Sequence, residues 1–166
     1  MATTYLAQRP ELARHMGSRS ALSLHFPKAS ATAITKGDFI LLVSGLAVVD
    51  NTDPTAGAVV GIAAETITAA EAKLQVAVYP ALPGMIFKGT FEGVFAAADV
   101  GLKYEVSETS DVPVVQRSAT TNVRVVLLGL ADAPPGYPEP AIGDTDVPCF
   151  FSILLSKTIY NVTTSD

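Results

Sequence analysis

The sequence predicts an all-β protein, with a body of two related β units behind an extended N-terminal arm. Three observations carry this. Short apolar, β-branched runs are punctuated throughout by Gly, Pro, Asn and Asp, the grammar of strands and tight turns. Two stretches repeat one order of features: Gly37 opens GDFILLVSGLAVVD and leads 24 residues on to Gly61 in VVGIAAE, and Gly101 opens GLKYEVSETSDVPVVQ and leads 28 residues on to Gly129 in VRVVLLGLAD. Each unit is followed by a further apolar strand, KLQVAVYP or VPCFFSILL. Finally, in MIFKGTFEGVF, Phe87 and Phe91 alternate with Lys88 and Glu92, the period of two that marks a half-buried strand. Unrelated hairpins share such grammar, so duplication and coincidence both stay open at this stage.

Taken in order, residues 1–33 read as the arm and 34–166 as the body, with sub-lobes at 34–96 and 97–166. Within the arm, PELARHMG has the marks of one short helical segment: Pro10 in a first turn, Glu11 at the positive end of the dipole, Gly17 as a stop. The body begins with FILLV and LAVV, which bracket Ser44-Gly45 as a tight turn. DNTDPTAG is a loop of turn-formers, and AVVGIAAE is a strand broken at Gly61. TITAAEAKL reads either as a helical turn or as a loop into KLQVAVYP. Pro80, Pro83 and Gly84 turn the chain into the alternating strand at 85–95, and KYEV, VPVVQ and NVRVVLLGL follow. Residues 132–148 hold five prolines and four acids, a density that predicts a stiff, extended surface loop. The chain closes with the strand CFFSILLSKTIYNV.

Composition narrows the function. The chain has 166 residues, enough to bury its own core, and 49% are hydrophobic. Only 16% are charged, below the usual quarter, which points to a surface partly covered by a partner. Residues 1–36 carry five cations against Glu11, while residues 37–166 carry six cations against fifteen acids. An acidic body argues against nucleic-acid binding, and a basic arm is better matched to an acidic protein surface. No apolar run spans a bilayer and no secretory leader follows the early arginines, so a soluble protein made in a cytoplasm is expected.

The sequence offers little chemistry. Cys149, the only cysteine, lies in an apolar run that predicts an inert thiol. His15 and His25 have no metal spacing, and neither phosphate-binding glycine loop nor nucleophile elbow occurs. Asp50, Asn51 and Asp53 lack the spacing and distal Glu of a calcium loop, and turn chemistry explains them. Asp99, Glu105 and Glu108 read as solvated acids rather than an acid–base pair. No cofactor, no metal and no catalytic residue is expected, and an enzyme is the least favoured reading.

The succession VVGIAAE, VAVYP, PGMIFKGTF, GLKYEV and RVVLLGLAD resembles the head decoration, or capsid cement, proteins of tailed bacteriophages over residues 34–160. The resemblance implies a small β-barrel or β-tulip body and a homotrimer. It also implies a structural role on the outside of the virion capsid, where the major capsid protein is the partner and the arm pairs with it. Neither nucleic acid nor membrane is an expected partner. On this reading Arg9, Arg14, Arg19 and Phe26 in the arm, with Pro135, Tyr137 and Pro138 in the Pro-rich loop, are the candidate partner-binding residues. The alternatives are another virion subunit, such as a tail tube or head-fibre base, and a carbohydrate-binding β-sandwich using Tyr137.

Overall fold

The structure, a computed structural model, describes residues 2–15, 22–52, 59–117, 123–154, 156 and 158. Strand β1 is Glu11–His15. Five strands form one sheet: β2 (Leu24–Pro27), β3 (Phe39–Val43), β4 (Leu46–Val49), β5 (Val59–Ala63) and β6 (Gln75–Pro80). Five more form a closed barrel: β7 (Met85–Val94), β8 (Lys103–Thr109), β9 (Val112–Gln116), β10 (Val125–Leu130) and β11 (Thr145–Ile153). A 3-10 turn, Ala97–Asp99, lies between β7 and β8.

The two sheets have the same topology. The first runs β2-β6-β5-β3-β4 and the second β7-β11-β10-β8-β9, with each strand antiparallel to its neighbours in that order. Each then returns on itself in parallel. In the second, β7 meets β9 at Phe91↔Val115 and Glu92↔Gln116; in the first, the parallel bridge Lys28↔Ala47 brings the end of β2 to β4. The repeated glycine-led grammar is therefore a repeated architecture, in which β3 to β6 answer to β8 to β11. The division differs from the one the sequence predicts. By strand the units are 24–80 and 85–153, so the opening strand of the first comes from the arm, and β7 opens the second rather than ending the first. Each opening strand precedes its glycine and pairs with the last strand of its unit, so local spacing does not mark it.

Matching hairpins follow the opening strand in both units. Ser44 (φ 51°) and Gly45 (φ 80°) join β3 to β4, and Ser110 (φ 51°) and Asp111 (φ 61°) join β8 to β9. Two consecutive left-handed residues match the twist of the strands they connect. Gly61 does not break its strand. It sits opposite Pro80, where a Cβ would lie 1.9 Å from the Tyr79 carbonyl oxygen, so glycine is what lets β5 and β6 approach.

The expected helix at Pro10–Gly17 is corrected in its described part, because Glu11–His15 is a strand antiparallel to β7. A one-turn helix is marginal in isolation. β9 pairs with β7 only at Phe91 and Glu92, which leaves Met85–Lys88 to be satisfied, and the arm supplies the partner. The Pro-rich loop is also shorter than predicted: β11 starts at Thr145 and takes in Pro148, whose carbonyl accepts from the Ala131 N–H at 3.0 Å.

The lobes share a core. Phe87, Phe91, Leu127, Cys149 and Phe151 are fully buried in one cluster that continues to Phe39, Leu41, Val59 and Ile62 of the first sheet. Phe151 lies between Phe87 and Phe39, with ring centroids 5.8 and 6.2 Å away. Ile40, Val60, Val76 and Val78 belong to the first sheet's own interior. β3 and β5 are thus covered on both faces, which is why they read as continuous apolar runs rather than alternating ones.

Candidate partner-binding surface

The two segments that sequence reasoning singled out meet in space. The extended residues 2–10 run along the 131–144 loop and then across β7. Asp144 is the joint: Oδ1 accepts the Thr3 N–H at 2.7 Å, and Oδ2 accepts the Ala141 N–H at 2.9 Å. Thr4 bridges to Thr145 in parallel, with the Tyr5 N–H donating to the Thr145 carbonyl and the Thr145 N–H to the Thr3 carbonyl. Tyr5 is buried, its ring 5.5 Å from that of Tyr137 and its hydroxyl facing the Pro138 carbonyl at 3.1 Å and Asp144 at 3.4 Å. Burial first, then the Asp144 charge, raises the Tyr5 pKa. Asp144 is held below its ordinary value, chiefly by the Thr3 backbone N–H.

The arm then fastens the lobes together. The Gln8 N–H donates to Thr90 Oγ1 at 2.7 Å, in the stretch of β7 between its pairings with β1 and β9. Arg9 bonds Asp38 of the first lobe at 2.5 Å and the Asp111 carbonyl of the second. Asp38 is buried and also accepts from the Thr35 N–H and from Asn51 Nδ2, which reaches on to Glu108 at 3.2 Å. Gly37 (φ 95°) makes room for this crossing, because a Cβ there would meet Arg9 Cβ and the Pro10 carbonyl at 2.8 Å.

These contacts sort the candidate residues. Arg9 is turned inward as an interlobe latch rather than outward to a partner. Phe26 packs against the interior of the first sheet, opposite Val76, so it too serves the fold. Arg14 lies in β1 opposite Ile86, and Arg19 falls outside the described residues. Pro135 and Pro138 are exposed and Tyr137 is half-buried. Leu6, 72% exposed, and Ile142, 67% exposed, are the large apolar side chains of this region that sequence reasoning missed. Asp132, Glu139, Asp144 and Asp146 make 132–148 acidic, and it has no lysine or arginine. The one sequence signal for the joint was Tyr5, the first aromatic in a polar terminus.

Such a surface can recognise, and it carries little else. Among the described residues no group of three His, Cys, Asp or Glu side chains is placed to hold a metal ion. Cys149 is fully buried, and burial pushes its thiol pKa far up. No described helix is long and apolar enough to cross a membrane. No family model matches the chain, and no curated protein or solved structure is significantly similar to it.

Proposed function

We propose that the protein is a structural capsid decoration protein. On this reading it is a homotrimer on the outer surface of a phage head, and it meets the major capsid protein through the joined arm and Pro-rich loop. The observation that carries this is the convergence of the two segments on Asp144 and Tyr5, each segment carrying a large exposed apolar side chain, Leu6 in the arm and Ile142 in the loop. Isolated exposed apolar residues are ordinary, but on segments tied to each other by hydrogen bonds and by the Tyr5–Tyr137 packing they present a preorganised contact. Modest contacts of this kind become firm when symmetry repeats them, and cementing a shell requires no catalytic group.

The test is co-sedimentation of the full-length protein with expanded and unexpanded heads built from the cognate coat protein. Binding to expanded heads, lost in Leu6→Asp with Ile142→Asp while the fold is kept, is the expected result. A monomer in solution that ignores both kinds of head and binds glycans on an array overturns the proposal in favour of a carbohydrate-binding module.

A further inference from the structure

The barrel has an open mouth between β7 and β9. Beyond the parallel pair Glu92↔Gln116, β7 and β9 diverge around a cleft of about 870 Å³ lined by Val94, Asp99, Leu102, Lys103 and Arg117, among others. At the corresponding end of the first sheet, beyond Lys28↔Ala47, the buried Lys28 ammonium caps the carbonyls of Ala29 and Thr32.

The cleft holds a guanidinium fixed from behind. Asp99 is buried, and its Oδ1 accepts Arg117 Nε at 3.2 Å and the Tyr104 hydroxyl at 3.0 Å, while its Oδ2 accepts the Ala96 N–H at 2.7 Å. Burial and the bond to Asp99 push the Tyr104 pKa up to about 12, so its hydroxyl stays a donor. The arginine stem lies against Gly93, where an added Cβ would sit 3.7 Å from Arg117 Cβ. With Nε engaged, the plane of the group is set, and its two terminal nitrogens make no hydrogen bond among the described residues. Lys103 is exposed on the rim, and the apolar lining comes from Val94 and Leu102, which are 48% and 52% exposed.

We propose that this cleft is a binding site for a carboxylate carried on a flat apolar body. A planar, oriented guanidinium matches a carboxylate with two parallel donors. Val94 and Leu102 take up the apolar body, and Lys103 adds a screened attraction. Two further acids restrict the charge of the ligand. Glu92 lines the cleft while accepting from Thr109 Oγ1, and Asp146, which accepts the Gly93 N–H, stands next to it. With Asp99 already balancing Arg117, these carboxylates favour a monoanion over a dianion. The inference stands apart from the decoration reading, since the cleft shares neither Leu6 nor Ile142 with that surface.

The experiment is an NMR titration of the full-length, ¹⁵N-labelled protein with benzoate, acetate and inorganic phosphate, read at the Arg117 Nε–H and the Gln116 and Lys103 amides. Saturable binding of benzoate is expected, with acetate several-fold weaker and phosphate not saturating. Arg117→Lys keeps the charge but loses the fork, and should weaken benzoate by about fivefold or more, the loss of one charge-assisted bond. Lys103→Gln should cost only about twofold, removed by salt. Asp99→Asn separates positioning from charge: deleting an anion near the site would tighten binding if charge alone mattered, and it should weaken it if Asp99 holds the fork. If Asp99→Asn does not fold, Arg117→Lys decides. No saturable binding by any probe, phosphate binding tighter than benzoate, or an Arg117→Lys protein indistinguishable from the parent overturns the proposal.

Discussion

Replacing Tyr5 with Ala should loosen the whole strap, and the size of the effect follows from where Tyr5 sits. The side chain is 3% exposed, packed on Tyr137 and bonded at the Pro138 carbonyl. Truncating a buried aromatic costs about 3–5 kcal/mol when the surroundings cannot relax. Here they can, because residues 2–8 are free to detach ahead of the Arg9 latch, so the loss cannot exceed what docks them. Besides the ring, that is a few backbone bonds at Thr3, Tyr5 and Gln8, each worth about 1 kcal/mol. The expected loss is therefore about 2–4 kcal/mol, against about 1 kcal/mol for Tyr5→Phe, which keeps the ring and removes only the hydroxyl. Hydrogen exchange reads this directly at the amides of residues 5, 8 and 145, all bonded across the joint. The Ala variant should speed their exchange roughly 30- to 1,000-fold, with a parallel fall in the urea midpoint. If these amides already exchange like free peptide in the parent, or if Ala and Phe variants behave alike, the strap is not held by the Tyr5 ring and the reasoning fails.

Further outcomes are expected from the same structure. Asp144 has a folded pKa below its ordinary 3.8, so its contribution is complete above that value and disappears as the pH falls through the lowered one; exchange at residues 5 and 8 should accelerate below about pH 4. Asp144→Asn should abolish this pH dependence and leave the arm loose at pH 7, and an unchanged profile would count against the joint. Gly61→Ala puts a methyl 1.9 Å from the Tyr79 oxygen and should cost about 3 kcal/mol or more in urea unfolding, whereas Gly45→Ala, at an open turn, should cost about 1 kcal/mol. Equal losses at the two sites would refute the close approach of β5 and β6. Cys149 should resist Ellman's reagent at pH 8 until the protein is unfolded, and prompt native labelling would contradict its burial.

What the sequence made legible was local. The alternation at 85–94, the Ser44-Gly45 turn and the paired glycine-led units are all written within about thirty residues, and each has its counterpart in the structure. The failures were long-range. Pro10, Glu11 and Gly17 imitate helix ends, but the unfilled edge of β7, some seventy residues away, determines that Glu11–His15 is extended. Arg9 looked like a free cation because its partner Asp38 is brought to it only by the crossing at Gly37. The cleft residues are individually visible in the sequence, where Asp99 reads as a surface acid and stands apart from Tyr104 and Arg117. Nothing in their spacing says that one buried carboxylate orients both.

The internal repeat bears on where function resides. Two lobes with one topology and one shared core are bound to each other's packing, so their matching parts are explained by folding alone. Three features break the match. The arm precedes the first unit and has no equivalent before the second. The connection from β10 to β11 is the Pro-rich loop, whereas that from β5 to β6, residues 64–74, holds no proline, bridges to Ile34 at Ile67 and turns at Thr68 and Glu71. The mouth of the barrel opens into the Arg117 cleft, whereas the matching end of the first sheet carries the buried Lys28. Folding requires none of these three in both lobes. Two of them dock on each other through Asp144, and the third keeps an arginine oriented at some cost in buried charge, since Asp99 must be desolvated to hold it. The strap contributes to stability through Tyr5, Gln8 and Arg9, whereas the exposed Leu6 and Ile142 and the aimed Arg117 guanidinium contribute little to it, and those are the groups on which the two proposals rest.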